Sequence, residues 1–189
     1  MDMDDPGLEL KFAGGAPLQA ETGAEGCVIE GYASLFGIAD QGGDVIAAGA
    51  YAGSLARIAA RGDRVRMLWQ HDPAHPIGVW EEIREDARGL WVRGRLLPEV
   101  ARAREAAALV AAGAIDGLSI GYRTLRAERD GKGRRVLTEV DLWEVSLVTF
   151  PMLREAKLGR KSRADPWGEL AGDLAGALRA AAEVLRAAR

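Results

Sequence analysis

Two residue types that carry much catalytic chemistry are almost missing. Cysteine occurs once, at Cys27, so no intrachain disulfide can form and no thiolate cluster can hold zinc or an iron–sulfur centre. Flanked by Gly26 and Val28 at the start of an apolar run, Cys27 reads as a small core residue and not as a nucleophile. Histidine occurs twice, at His71 and His75. A general base suited to neutral pH is therefore one of these two. Excess positive charge is also absent. Lys and Arg total 25 against 28 Asp and Glu, a formal net charge of −3, which gives no electrostatic reason for a nucleic-acid partner. No apolar run approaches the roughly 20 residues of a membrane-spanning helix. The acidic start Met1–Glu9 lacks the basic-then-apolar pattern of a secretory signal. The expectation is a cytoplasmic protein with no nucleic-acid or membrane partner. Gly14-Gly15 and Gly42-Gly43 lack the context of a phosphate-binding loop, and no cofactor is expected.

What is present suits one compact domain with a small attachment: 189 residues, 48 % hydrophobic and 28 % charged. Residues 1–26 are poor in periodicity and read as a loose N-terminal segment, apart from an edge strand suggested by alternating Leu8, Leu10 and Phe12. Residues 27–158 hold the domain. Strands are expected over Val28–Phe36, Asp44–Ile46, Val65–Gln70, Ile77–Arg84, Leu90–Leu96, Leu118–Arg126 and Val136–Thr149, with a turn at Asp72-Pro73 to His75-Pro76. Two helices are expected, Ala50–Ala60 stopped by Gly62, and Pro98–Ala112 stopped by Gly113. Strand pairs interrupted by isolated helices imply a mainly β, α+β fold, mixed or antiparallel and barrel-like. Residues 159–189 read as a linker and a slim C-terminal helix, capped by Asp165-Pro166 and striped by Leu170, Leu174, Leu178 and Leu185.

The strand Val65–Gln70 carries His71 at its end. Serine hydrolysis needs a hydroxyl, a base and a group that orients the base. The hydroxyl candidates are Ser34, Ser54, Ser119, Ser146 and Ser162. Ser119 stands out in Gly117-Leu118-Ser119-Ile120-Gly121-Tyr122, where flanking glycines allow close backbone approach. A strand serine beside packing glycines is the plainer alternative. The Gly-x-Ser-x-Gly spelling is no nucleophile elbow, because a strand follows it and the histidine precedes the serine. For the orienting group, strict alternation puts Val140, Leu142, Glu144, Ser146 and Val148 on one face, with Asp141 and Trp143 on the other. Glu144 on an apolar face needs a partner, either an imidazole or an arginine such as Arg123. Ser146, on the same face, is the second choice of nucleophile. His75, in the turn, reads as a rim residue. A metal site from His71, His75 and Asp72 lacks further ligands and is not favoured.

Together these segments resemble the prohead (capsid maturation) proteases of HK97-like tailed bacteriophages. The resemblance runs from about Gly31 to Lys157. It rests on Gly43-Asp44-Val45-Ile46 with Gly49-Ala50-Tyr51, Leu68-Trp69-Gln70-His71-Asp72-Pro73 with Pro76-Ile77-Gly78, Gly89-Leu90, Gly117 to Tyr122, and Glu144 to Pro151 with Ala156. The size and the Ala/Arg-rich character also resemble the version found in gene-transfer-agent clusters. The resemblance implies a herpesvirus-assembly-protease-like β-barrel, closed or nearly closed, surrounded by a few helices. It implies a serine endopeptidase with His71 as base and Ser119 as nucleophile. The herpesvirus enzymes use a histidine on a later strand as third member. This chain has none there, and Glu144 takes that place, with Asp141 as runner-up. The implied partners are the major capsid protein and scaffolding segments, with a homo-oligomer expected and the enzyme inside the assembling prohead. The tail is then a candidate for self-removal. A non-catalytic assembly or scaffolding protein is the competing class.

Overall fold

The computed structural model describes residues 9–13, 19–23, 26–40 and 42–149. The linker and C-terminal helix expected beyond residue 158 lie outside them, as does Ser162. The described residues form nine strands and two helices in an α+β arrangement. The strands are β1 (Glu9–Ala13), β2 (Gln19–Gly23), β3 (Gly26–Leu35), β4 (Val45–Ile46), β5 (Arg66–Trp69), β6 (Asp72–Glu85), β7 (Gly89–Leu96), β8 (Gly117–Arg129) and β9 (Arg135–Val148). The helices are α1 (Ala52–Arg61) and α2 (Ala101–Ala111).

All nine strands join one sheet in the order β1-β8-β9-β5-β6-β7-β3-β2, with β4 added beside β9. Neighbours are antiparallel except β5 and β4, which both run parallel to β9. The non-adjacent strands β3 and β8 contact each other, so the sheet curls. The order has two ends, β1 and β2, which are not paired with each other among the described residues. The curl is therefore a partly open half-barrel, more open than the closed or nearly closed barrel that the sequence resemblance implied. β1 is the expected edge strand. β2, with few apolar residues, carried no signal and forms through its hairpin pairing with β3.

Elements with clear punctuation form where the sequence puts them. Gly62, at φ +66°, closes α1 through its N–H to Ala59 O and is followed by Asp63 N–H to Ile58 O. Gly113 does the same for α2, with Gly113 N–H to Val110 O and Ala114 N–H to Leu109 O. α2 begins at Ala101, three residues after the expected start, because Pro98–Val100 form a preceding turn. The larger correction lies between β5 and β6. The expected turn at residues 72–76 is part of β6, and the chain reverses at Gln70-His71, flanked by the pair Trp69 and Asp72.

The main core fills one face of the sheet. It includes Met67 from β5, Leu118, Ile120 and Tyr122 from β8, and Val140, Leu142, Val145 and Leu147 from β9, with Ala103, Ala106 and Val110 from α2. These β9 residues do not follow strict alternation. Gly121 pairs with Glu144, but Tyr122 pairs with Leu142, so a β-bulge skips Trp143. Paired residues share a face. Leu142 therefore stands with Tyr122 on the core face, and Glu144 stands with Gly121 on the other. The expectation of one common face for Leu142 and Glu144 fails at this bulge.

Candidate active site

The bulge gathers the polar residues on the face turned away from the core. Ser119 on β8 pairs with Ser146 on β9, and Gly121 pairs with Glu144. Side chains 119, 144 and 146 thus project together. On the other side of β9, parallel β5 aligns Leu68 with Ser146 and Trp69 with Leu147, so β5 ends level with the two serines. The next residues, Gln70 and His71, turn over this group.

That turn is strained. Gln70 and His71 have φ of +53° and +61°, the pattern of a two-residue type I′ hairpin, which glycine and asparagine enter most easily. Each costs on the order of 1 kcal/mol or more for an ordinary L residue. Several hydrogen bonds to β9 and the residue after it offset the cost. The Gln70 N–H donates to Leu147 O at 3.0 Å, its side-chain amide donates to Thr149 Oγ1 at 2.7 Å, and the His71 N–H donates to Ser146 Oγ at 3.1 Å.

The His71 ring then meets Glu144. Nδ1 lies 2.6 Å from Oε1, with side-chain exposures of 10 % and 5 %. The other Glu144 oxygen, Oε2, accepts the Ser146 hydroxyl at 2.6 Å. The carboxylate can only accept, so the neutral ring carries its proton on Nδ1 and leaves Nε2 as the basic nitrogen. Such a pair can take a proton from a hydroxyl and stabilise the imidazolium that forms. Ser119, Ser146 and Glu144 are all buried.

Of the sequence candidates, His71, Ser119 and Glu144 come together on one face. The arginine alternative for Glu144 is not what forms: Arg123 pairs with Asp141, at 3.7 Å. Asp141 also pairs with Arg57 at 3.3 Å and accepts the Trp143 indole N–H at 3.0 Å. Burial pushes its carboxyl up, but the Trp143 bond and the two arginines bring it below the usual carboxylate range. His75 pairs with Asp72 at 2.7 Å, half-exposed on β6 and apart from the cluster. The Ala74 N–H and His75 together hold the Asp72 carboxyl below its ordinary value. Ser54 lies on α1 and accepts the Leu142 N–H, Ser34 is buried on β3, and Cys27 is in the core. Sequence reasoning missed the bridge made by Ser146. Its i+2 spacing from Glu144 was the available signal.

Comparison with known proteins finds a matching family, a curated relative and a similar solved structure among its likenesses. Residues 16–166 match the family described as Caudovirus prohead serine protease. The prohead protease of Enterobacteria phage HK97 is 32 % identical over 160 residues, covering 83 % of this chain and 66 % of that protein, just under two thirds of its length. The solved structure of the bacteriophage T4 capsid assembly protease superposes with a TM-score of 0.64 at 16 % identity, covering 76 % of this chain and 98 % of that one. At that identity the T4 likeness speaks for the fold.

Proposed function

The chain belongs to the caudovirus prohead serine protease family, and from that premise we propose that it is a serine endopeptidase that trims the scaffolding region of the major capsid protein, and itself, during prohead maturation. His71 is the general base, Ser119 the nucleophile and Glu144 the group that orients the base. The observation that carries this assignment is the His71–Glu144 pair at 2.6 Å, its carboxylate buried, on the face shared with Ser119.

In the mechanism, His71 Nε2 takes the Ser119 proton as the hydroxyl attacks the scissile carbonyl. Glu144, fixed on Nδ1, stabilises the imidazolium. The imidazolium returns its proton to the leaving amine. A water activated by His71 then hydrolyses the acyl-enzyme. Backbone N–H groups near Ser119 are the natural donors to the oxyanion. Supporting partners and place follow from the same reading: capsid and scaffolding segments as substrates, self-association, and action inside the assembling prohead. Kinship of the half-barrel with the herpesvirus assembly proteases belongs to this proposal too.

The test is co-expression with the major capsid protein of the same genome, using wild type and Ser119→Ala, read by intact mass of the capsid protein. A shortened capsid protein with wild type alone supports the protease. Full-length capsid protein in both, with folded enzyme and assembled shells, moves the function to non-catalytic assembly.

A further inference from the structure

We propose that Ser146 is a positioning residue for the catalytic base, resting on the serine-protease reading above. Its hydroxyl closes a ring of hydrogen bonds. The His71 N–H donates to Ser146 Oγ (3.1 Å), Ser146 donates to Glu144 Oε2 (2.6 Å), and Glu144 Oε1 accepts from the His71 ring (2.6 Å). Backbone and ring of one histidine are thereby tied to two residues of one strand. Bonds closed in this way inside a protein strengthen one another.

Two tasks fall to this one hydroxyl. It holds the backbone of His71 in the left-handed region, which histidine does not favour by itself. It also fixes the rotation of the Glu144 carboxyl, so that Oε1 is the oxygen presented to Nδ1. Ser146 is fully buried, and so is Glu144 but for a few per cent. Without the hydroxyl the carboxylate loses a charge-assisted partner where water has no ready access. The single Ser146 proton is directed at Glu144, and its oxygen already accepts from the His71 backbone. That arrangement suits a brace and leaves the nucleophile's role to Ser119, which lies across the strand pair.

The experiment compares Ser146→Ala, Ser146→Thr and Ser146→Cys in the full chain. Three readouts are kinetics on a peptide spanning the capsid cleavage site, labelling by a fluorophosphonate probe, and the downfield proton resonance of His71 Nδ1–H. Ser146→Ala is expected to lower kcat about 10- to 100-fold, the range spanned by a lost charge-assisted hydrogen bond, with KM little changed. The Nδ1–H resonance should shift or broaden. Ser146→Thr, which keeps the hydroxyl, should restore both. If the alanine variant does not fold, Ser146→Cys is read on the same scale. Its thiol is a weak donor, and it should give reduced kcat with a retained fold. An alanine or cysteine variant with wild-type kcat and an unchanged resonance overturns the proposal, even if its melting temperature falls. Probe labelling lost in Ser146→Ala but kept in Ser119→Ala overturns it as well, by making Ser146 the nucleophile. No cleavage by wild type sinks the protease reading instead, and cleavage that survives Ser119→Ala sinks the assignment of Ser119 as nucleophile; in both cases the resonance still reports on Ser146 separately.

Discussion

Gly121 lies directly across the strand pair from Glu144, and the Glu144 side chain fills the space that a side chain at 121 would occupy. A Cβ built there would stand 2.9 Å from both Cγ and Cδ of Glu144 and closer still to Oε1. Its backbone does not have a positive φ, so glycine is needed here for room and not for conformation. Gly121→Ala should therefore push Glu144 off His71. The expected result is a fall in kcat of tenfold or more, at a stability cost of about 1–3 kcal/mol. Steady-state kinetics with a urea melt of the same sample would test this. Unchanged kcat would mean that Glu144 can move without loss.

The two carboxylates of β9 should separate cleanly. Glu144→Gln keeps the shape but removes the charge on Nδ1, and should lower kcat by about 10²–10⁴. Asp141→Asn breaks pairs with Arg57 and Arg123 on the other side of the bulge. It should leave kcat within about threefold while lowering the melting temperature. The reverse ranking would give the orienting role to Asp141.

Asp86 should contribute an acid-dependent part of the stability. Its carboxyl is held below the usual range first by the Tyr32 hydroxyl at 2.6 Å, against a burial cost, with help from the Arg88 and Gly89 N–H groups and from Arg84. The folded state then binds fewer protons than the unfolded one. The contribution is whole above the unfolded carboxylate value of about 4 and is lost as pH falls through the lower folded value. Urea midpoints at pH 6 and pH 3 should fall further for wild type than for Asp86→Asn. Equal falls would show that this bond carries no linkage.

Trp80 braces β9 from the core side. Its indole N–H donates to Val145 O at 3.2 Å, between Glu144 and Ser146 in the chain. Trp80→Phe leaves that carbonyl short of a donor and the core short of volume, and should cost about 1–3 kcal/mol. A urea midpoint indistinguishable from wild type would argue against the brace.

The sequence by itself determined the cast and most of the elements. With two histidines in the chain, the only candidates for a neutral-pH base were His71 and His75, and Ser119 between its glycines was visible as an unusual strand serine. The strands it marked and both helices form, because apolar alternation and the stop glycines Gly62 and Gly113 act locally. Tertiary structure decided the rest, since it depended on pairing between distant segments. The reversal sits at Gln70-His71 and not at the two prolines, because hydrogen bonds from β9 hold two ordinary residues at positive φ. Strict alternation mis-assigned the faces of Leu142 and Glu144, because a bulge is a property of two paired strands and leaves no period in either one. For the same reason Ser146 read as a spare nucleophile. Only when parallel β5 delivers His71 beside β9 does its hydroxyl become the link between His71 and Glu144.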